Sequence, residues 1–153
     1  MQNIEVSGSG GDYITGKVSS KLALPIDLSE SVEEVRLIHE DANLSNFQTS
    51  VLNLVKNDQK VLIILVFSRG PKLVKSKLPQ DSFIVHKHDE ANEGEACEWI
   101  SGRSSKKFLI ADADTVAGYE FDTVIILSGK DRKNNFASLC QRATSRLIVC
   151  FIG

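Results

Sequence analysis

Cysteine is scarce in this chain, and the three present (Cys97, Cys140 and Cys150) have no CxxC spacing. An odd set of widely spaced thiols argues against a disulfide framework and implies a reduced protein with buried or idle cysteines. Cys150 lies in an apolar run and is expected in the core. Long hydrophobic runs are absent as well. The longest uninterrupted one, residues 61–67, is far too short to span a bilayer. The N-terminus is polar and glycine-rich, so no signal peptide is visible. Neither sign of charge dominates: 18 Lys and Arg face 20 Asp and Glu, with a pI near 5.9. That balance argues against a uniform nucleic-acid footprint. Lys72, Lys75, Lys77, Arg103, Lys106 and Lys107 cluster locally and read as solvated helix and loop surfaces. No internal repeat is present. These absences predict an intracellular protein, cytoplasmic or nuclear, with no membrane association.

What is present organises around residues 108–127 (FLIADADTVAGYEFDTVIIL). Two β-branched apolar runs flank a segment carrying Asp112, Asp114, Gly118, Glu120 and Asp122. Such runs read as buried strands of a parallel sheet. In these sheets ligands bind beyond the carboxyl ends of the strands, so the acidic loop after Ile110 is where a site is expected.

At 153 residues the chain fits one domain. Residues 1–31, with the SGSGG linker composition at 7–11 and the LALPIDLSES stretch, read as a linker or extended connector. Residues 32–153 read as the folded domain. A strand is expected at 35–39, where the flanking Glu33-Glu34 would also suit a helix. A helix capped by Asn43 or Ser45 should carry Phe47, Val51, Leu52, Leu54 and Val55. Strands follow at 61–67, 82–86, 108–110, 123–127 and 147–152. Helices are expected at 72–78 (with Pro71 in its first turn), at 90–102 (with Ala96, Trp99 and Ile100 inward) and at 136–144. Alternating strand and helix predict an α/β fold with a mostly parallel sheet. Because the chain stops at the end of a strand, it reads as a fragment of a larger protein.

Three motifs have dull readings. Residues 11–18 nearly match the P-loop pattern, but Val18 replaces the hydroxyl residue and the strand and helix flanks are missing. His86, His88, Asp89 and Glu90 are contiguous, which does not supply convergent metal geometry, and read as a surface loop. Asp112-Ala-Asp114-Thr115-Val116 after an apolar strand resembles the first motif of haloacid-dehalogenase-type phosphatases. The resemblance implies Asp112 as nucleophile and Asp114 as general acid/base, with Ser128 and Lys130 holding phosphate. That motif normally opens its fold, however, and only 41 residues follow Asp112. No later strand ends in the acidic pair needed to complete the metal site.

The strongest match lies at the C-terminal side. Gly118-Tyr119-Glu120-Phe121-Asp122-Thr123-Val124-Ile125 closely resembles motif V of superfamily 1 helicases, GxEFDxVI. Arg142-Ala143-Thr144-Ser145-Arg146-Leu147-Ile148-Val149 resembles the end of motif VI, and the apolar strand ending near Arg69 is similar to the start of the second RecA-like domain. The resemblance covers roughly residues 33–153. It implies a three-layer RecA-like domain of the P-loop NTPase type, the C-terminal motor half of a UvrD-like helicase.

By the same resemblance, Gly118 and Glu120 shape the nucleotide side, with Glu120 accepting the ribose hydroxyl, and Arg142 is the catalytic arginine finger. ATP and Mg²⁺ would be shared with an N-terminal RecA-like domain that supplies the P-loop lysine and the acidic pair. The other partner would be single-stranded DNA or RNA, and no metal ligand or nucleic-acid contact is assigned to this chain. The chain departs from the family at Ala117, where Lys or Gln is usual, at Gln141, where Thr or Ser is usual, and at Ala137, where an aromatic often stands. The usual Thr a little before the glycine has no counterpart. A non-catalytic RecA-like nucleotide-sensing or protein-interaction module is the alternative. Without a P-loop or acidic partner, the isolated chain is expected not to turn over ATP.

Overall fold

A computed structural model describes residues 3–8, 34–66, 70–86, 93–112, 119–129 and 142–152. Its centre is a seven-stranded sheet in which every neighbouring pair is parallel. The strands are β1 (Asn3–Gly8), β2 (Glu34–Glu40), β3 (Val61–Val66), β4 (Phe83–His86), β5 (Phe108–Asp112), β6 (Phe121–Ser128) and β7 (Ala143–Ile152). They lie in the order β1-β2-β7-β6-β3-β5-β4. β3, an unbroken apolar run, sits between β5 and β6, with Ile63 opposite both Ile110 and Ile125. The expected α/β class with a parallel sheet is what the chain adopts.

Both sheet faces are buried, which is why the central strands read as continuous apolar runs and not as alternating ones. Leu62, Ile64, Val124, Ile126, Leu147 and Val149 face one side, where Ala96 and Trp99 pack on them. Ile63, Ile125, Leu127 and Ile148 face the other, under Phe47, Val51, Val55 and Val74. Burying each such Leu or Ile contributes about 1.5–3 kcal/mol. Among the described residues, no helix is long and apolar enough to cross a membrane.

The covering elements are short. The helix expected to carry residues 47–55 is instead α1 (Phe47–Ser50) followed by a 3₁₀ turn (Leu52–Val55). The Thr49 and Ser50 hydroxyls both donate to the Asn46 carbonyl, at 3.1 and 2.7 Å, a local competition that ends a regular helix early. Neither proposed cap acts as one. The Asp41 carboxylate instead accepts the backbone N–H groups of Asn43 and Ser45, at 2.9 and 3.0 Å. Those bonds hold the Asp41 carboxyl below its ordinary value.

Two longer helices complete the described set. α2 (Gly70–Lys77) carries proline in its first turn, as expected. α3 (Glu93–Ile100) buries Ala96 and Trp99. It stops at Gly102, whose φ of +82° lets Gly102 N–H reach the Trp99 carbonyl and Arg103 N–H the Glu98 carbonyl. This is a Schellman closure, which favours glycine at that position.

Two further boundaries differ from the sequence reading. β1 pairs with β2 along its whole length, so the sheet takes in the start of the stretch read as connector. Of the helix expected at 136–144, Ala143 and Thr144 belong to β7, because Ala143 pairs with Phe121 and extends the ladder; residues 136–141 lie outside the described residues.

Candidate functional site

Glu120 and Arg142 each sit immediately before a strand, β6 and β7 respectively. Because all strands run the same way, both lie at the amino edge of the sheet. Glu120 is exposed and Arg142 half-buried. Residue 142 grips the segment before β6 from two sides. Its guanidinium Nη1 donates to the Tyr119 carbonyl at 3.2 Å, and its own carbonyl accepts the Phe121 N–H at 2.7 Å. Two residues on, the Thr144 hydroxyl bonds the Phe121 carbonyl at 3.3 Å and the Asp122 carboxylate at 3.1 Å. The third candidate, Gly118, lies outside the described residues.

The same edge holds a charged network centred on Arg146. Its guanidinium donates to Asp58 at 2.9 Å and to the Leu54 carbonyl at 2.7 Å, and approaches Glu34 at 3.3 Å. Glu34 also accepts from Arg36 at 2.7 Å, and Asp58 accepts the Thr123 hydroxyl at 2.9 Å. Burial alone raises the Glu34 carboxyl, but the Arg36 and Arg146 guanidiniums outweigh it and hold the group below its ordinary value. This network ties β2, β6, β7 and the turn before β3 together. Sequence reasoning treated Arg146 only as part of a motif.

Lysines stitch the remaining strand starts. Lys60 Nζ donates to the carbonyls of Ser104 and Lys106 and lies 5.4 Å above the Trp99 ring. Lys107 donates to the Val55 carbonyl at 2.6 Å and Lys106 to the Asp81 carbonyl at 2.7 Å. Burial lowers the pKa of Lys60 and of Lys107, with Asp58 opposing the shift at Lys107. These lysines hold loops in place and do not form one free basic face. Beside them, Asp58, Gln59, Lys60, Asp122 and Thr123 line a polar cavity of about 300 Å³.

The carboxyl edge is different. Asp112 ends β5 half-buried, while Asp114 and Lys130 lie outside the described residues. Ser128 is fully buried and donates to the Gly129 carbonyl at 3.2 Å, so it presents no hydroxyl to solvent. His86 is buried at the end of β4; His88, Asp89, Glu90 and the P-loop-like residues 11–18 lie outside the described residues. Among the described residues, no group of three His, Cys, Asp or Glu side chains is arranged to hold a metal ion.

The chain matches no known protein family, no curated protein and no solved structure. Any functional reading therefore rests on the residues themselves. Of the proposed site, Glu120 and Arg142 lie on the same edge of the sheet, opposite the edge at which β5 ends in Asp112.

Proposed function

We propose that this chain is the second RecA-like domain of a UvrD-like, superfamily 1 helicase, contributing one wall of an ATP site that it shares with a first RecA-like domain. The observation that carries this reading is the double grip of residue 142 on the segment before β6, which sets Glu120 and Arg142 on one edge. Two segments 22 residues apart, each resembling a nucleotide-contacting motif, thus lie side by side at one edge of the sheet.

In this reading the Arg142 guanidinium meets the terminal phosphate. There it stabilises negative charge that develops on the equatorial oxygens during transfer. The Tyr119 carbonyl orients it, which lowers the entropy lost on engagement. The exposed Glu120 carboxylate accepts a ribose hydroxyl. Among the described residues, no group of acids is arranged to hold Mg²⁺: Asp58 is engaged by Arg146 and Thr123, and Asp122 by Thr144. The metal would be held by the acidic pair of the first domain. Closing the cleft assembles the site, and opening it moves the single strand of DNA or RNA.

The test is ATP turnover by the intact protein with and without single-stranded oligonucleotide, compared with Arg142→Ala. Loss of turnover at an unchanged melting temperature supports the motor reading. The isolated chain should show no Mg²⁺-dependent ATPase, and turnover by it alone would contradict the division of labour. The same Arg142–Tyr119 bond favours a second reading, in which the arginine is a structural clip within a non-catalytic nucleotide-sensing or protein-docking module. Unchanged turnover in Arg142→Ala, with a lowered melting temperature, would favour that module.

A further inference from the structure

We propose that Tyr119 is the stacking platform for the nucleobase of the nucleotide bound at the amino edge, an inference that rests on the nucleotide-site reading above. Tyr119 is the one large apolar side chain that stands exposed among the described residues, at 49%. A singly exposed aromatic is unremarkable by itself. What distinguishes this one is its support.

The Tyr119 ring lies 6.5 Å from Phe121, and Phe121 lies 5.7 Å from Trp99, with interplanar angles of 41° and 46°. Trp99 is buried and anchored, its indole N–H donating to the Lys106 carbonyl at 3.0 Å. An aromatic series therefore runs from the core to the surface and ends in a ring with a solvent-facing side. The backbone under that ring is pinned as well, because the Tyr119 carbonyl accepts from Arg142. Much of the ordering a stacking partner requires is built into the fold, which reduces the entropy lost on binding.

The neighbours supply the other chemistry of a nucleotide. Glu120 follows Tyr119 directly and is exposed, and the Arg142 guanidinium reaches the Tyr119 carbonyl. An aromatic face for a base, a carboxylate for ribose hydroxyls and a guanidinium for phosphate thus lie at one edge of the sheet. Stacking on an aromatic face is tolerant of base identity and needs no hydroxyl. The ring, not the phenol, is the recognising group.

The experiment is calorimetric titration of the intact protein with ADP and with ribose 5′-diphosphate, which lacks the base. Tyr119→Phe should bind ADP as the unaltered protein does. Tyr119→Leu, which keeps apolar bulk against Phe121, should bind ADP more weakly by on the order of tenfold. It should bind the abasic ligand unchanged. Equal weakening for both ligands would overturn the proposal, since the ring would then only position its segment. Full ADP affinity in Tyr119→Leu, with loss in Glu120→Gln, would overturn it while leaving the nucleotide site intact. No ADP binding by the unaltered protein would overturn both.

Discussion

The two edges of the sheet use their described polar residues in opposite ways. At the amino edge, long cationic side chains reach from one strand start to the carbonyls and carboxylates of the next. Arg146, Lys60, Lys106 and Lys107 all act so. Their apolar stems pack along the rim while their heads bond to carbonyls and carboxylates, and burial lowers the pKa of Lys60 and Lys107. At the carboxyl edge, short or isolated polar groups are sealed in. Glu40 is 5% exposed with one oxygen bonded to the Ser50 hydroxyl and the other without a partner, and buried His86 leaves its Nδ1 unpaired. The first arrangement forms a pre-ordered charged rim. The second stores polar groups away from solvent.

The largest effect that separates the edges concerns turnover. Under the proposed function, Arg142→Ala lowers ATP hydrolysis by the intact protein about 10³-fold. Asp112→Asn, at the opposite edge, leaves it unchanged. The reverse pattern, with loss of phosphomonoester hydrolysis in Asp112→Asn, would move the chemistry to the carboxyl edge and to the phosphatase reading.

Stability differences come next. Arg146→Ala leaves Asp58 and Glu34 without their shared cation and should cost about 2 kcal/mol, or about 4–8 °C in melting temperature. At the carboxyl edge, Ser50→Ala removes the donor to Glu40 inside a nearly closed site. The loss expected there is about 1 kcal/mol, read by urea unfolding. A larger loss at Ser50 than at Arg146 would mean that the sealed edge, not the rim, holds the strands together.

Acid sensitivity is a smaller effect and belongs to the rim. In the folded protein Glu34 holds its proton less tightly than in the unfolded chain. Its stabilisation is therefore present above the ordinary value of 4.5 and is lost as pH falls through the lower folded value. Melting temperature followed downward from pH 5 should fall less steeply in Glu34→Gln than in the unaltered protein. The smallest signal is chemical: burial, with Glu40 adding to it, pushes the Cys150 thiol well above its usual range. Iodoacetamide should label exposed Cys97 and spare Cys150 until the chain is unfolded.

The sheet was legible because its central strands are short β-branched runs bounded by Gly, Asp and Lys. β3, β5 and β6 all fall where those runs fall. Burial on both faces leaves such a signal in composition, whereas α1 and the 3₁₀ turn depend on hydroxyl-to-carbonyl bonds that periodicity does not report. The edge that gathers the candidate residues was harder to read. The carboxyl-end rule pointed to the loop after Ile110, yet Glu120 and Arg142 precede their strands, and their place directly before apolar runs was the usable cue. Arg146 left no cue, since its partner Asp58 lies 88 residues away and pairing across that distance is settled only by strand order.

Hydrogen exchange of the intact protein with and without ADP tests the central claim most directly. The account predicts slowed exchange in peptides covering 119–123 and 142–146, with peptides ending at His86 and Asp112 unchanged. Protection confined to the carboxyl edge, or no protection at residues 119–123 under saturating ADP, would contradict it.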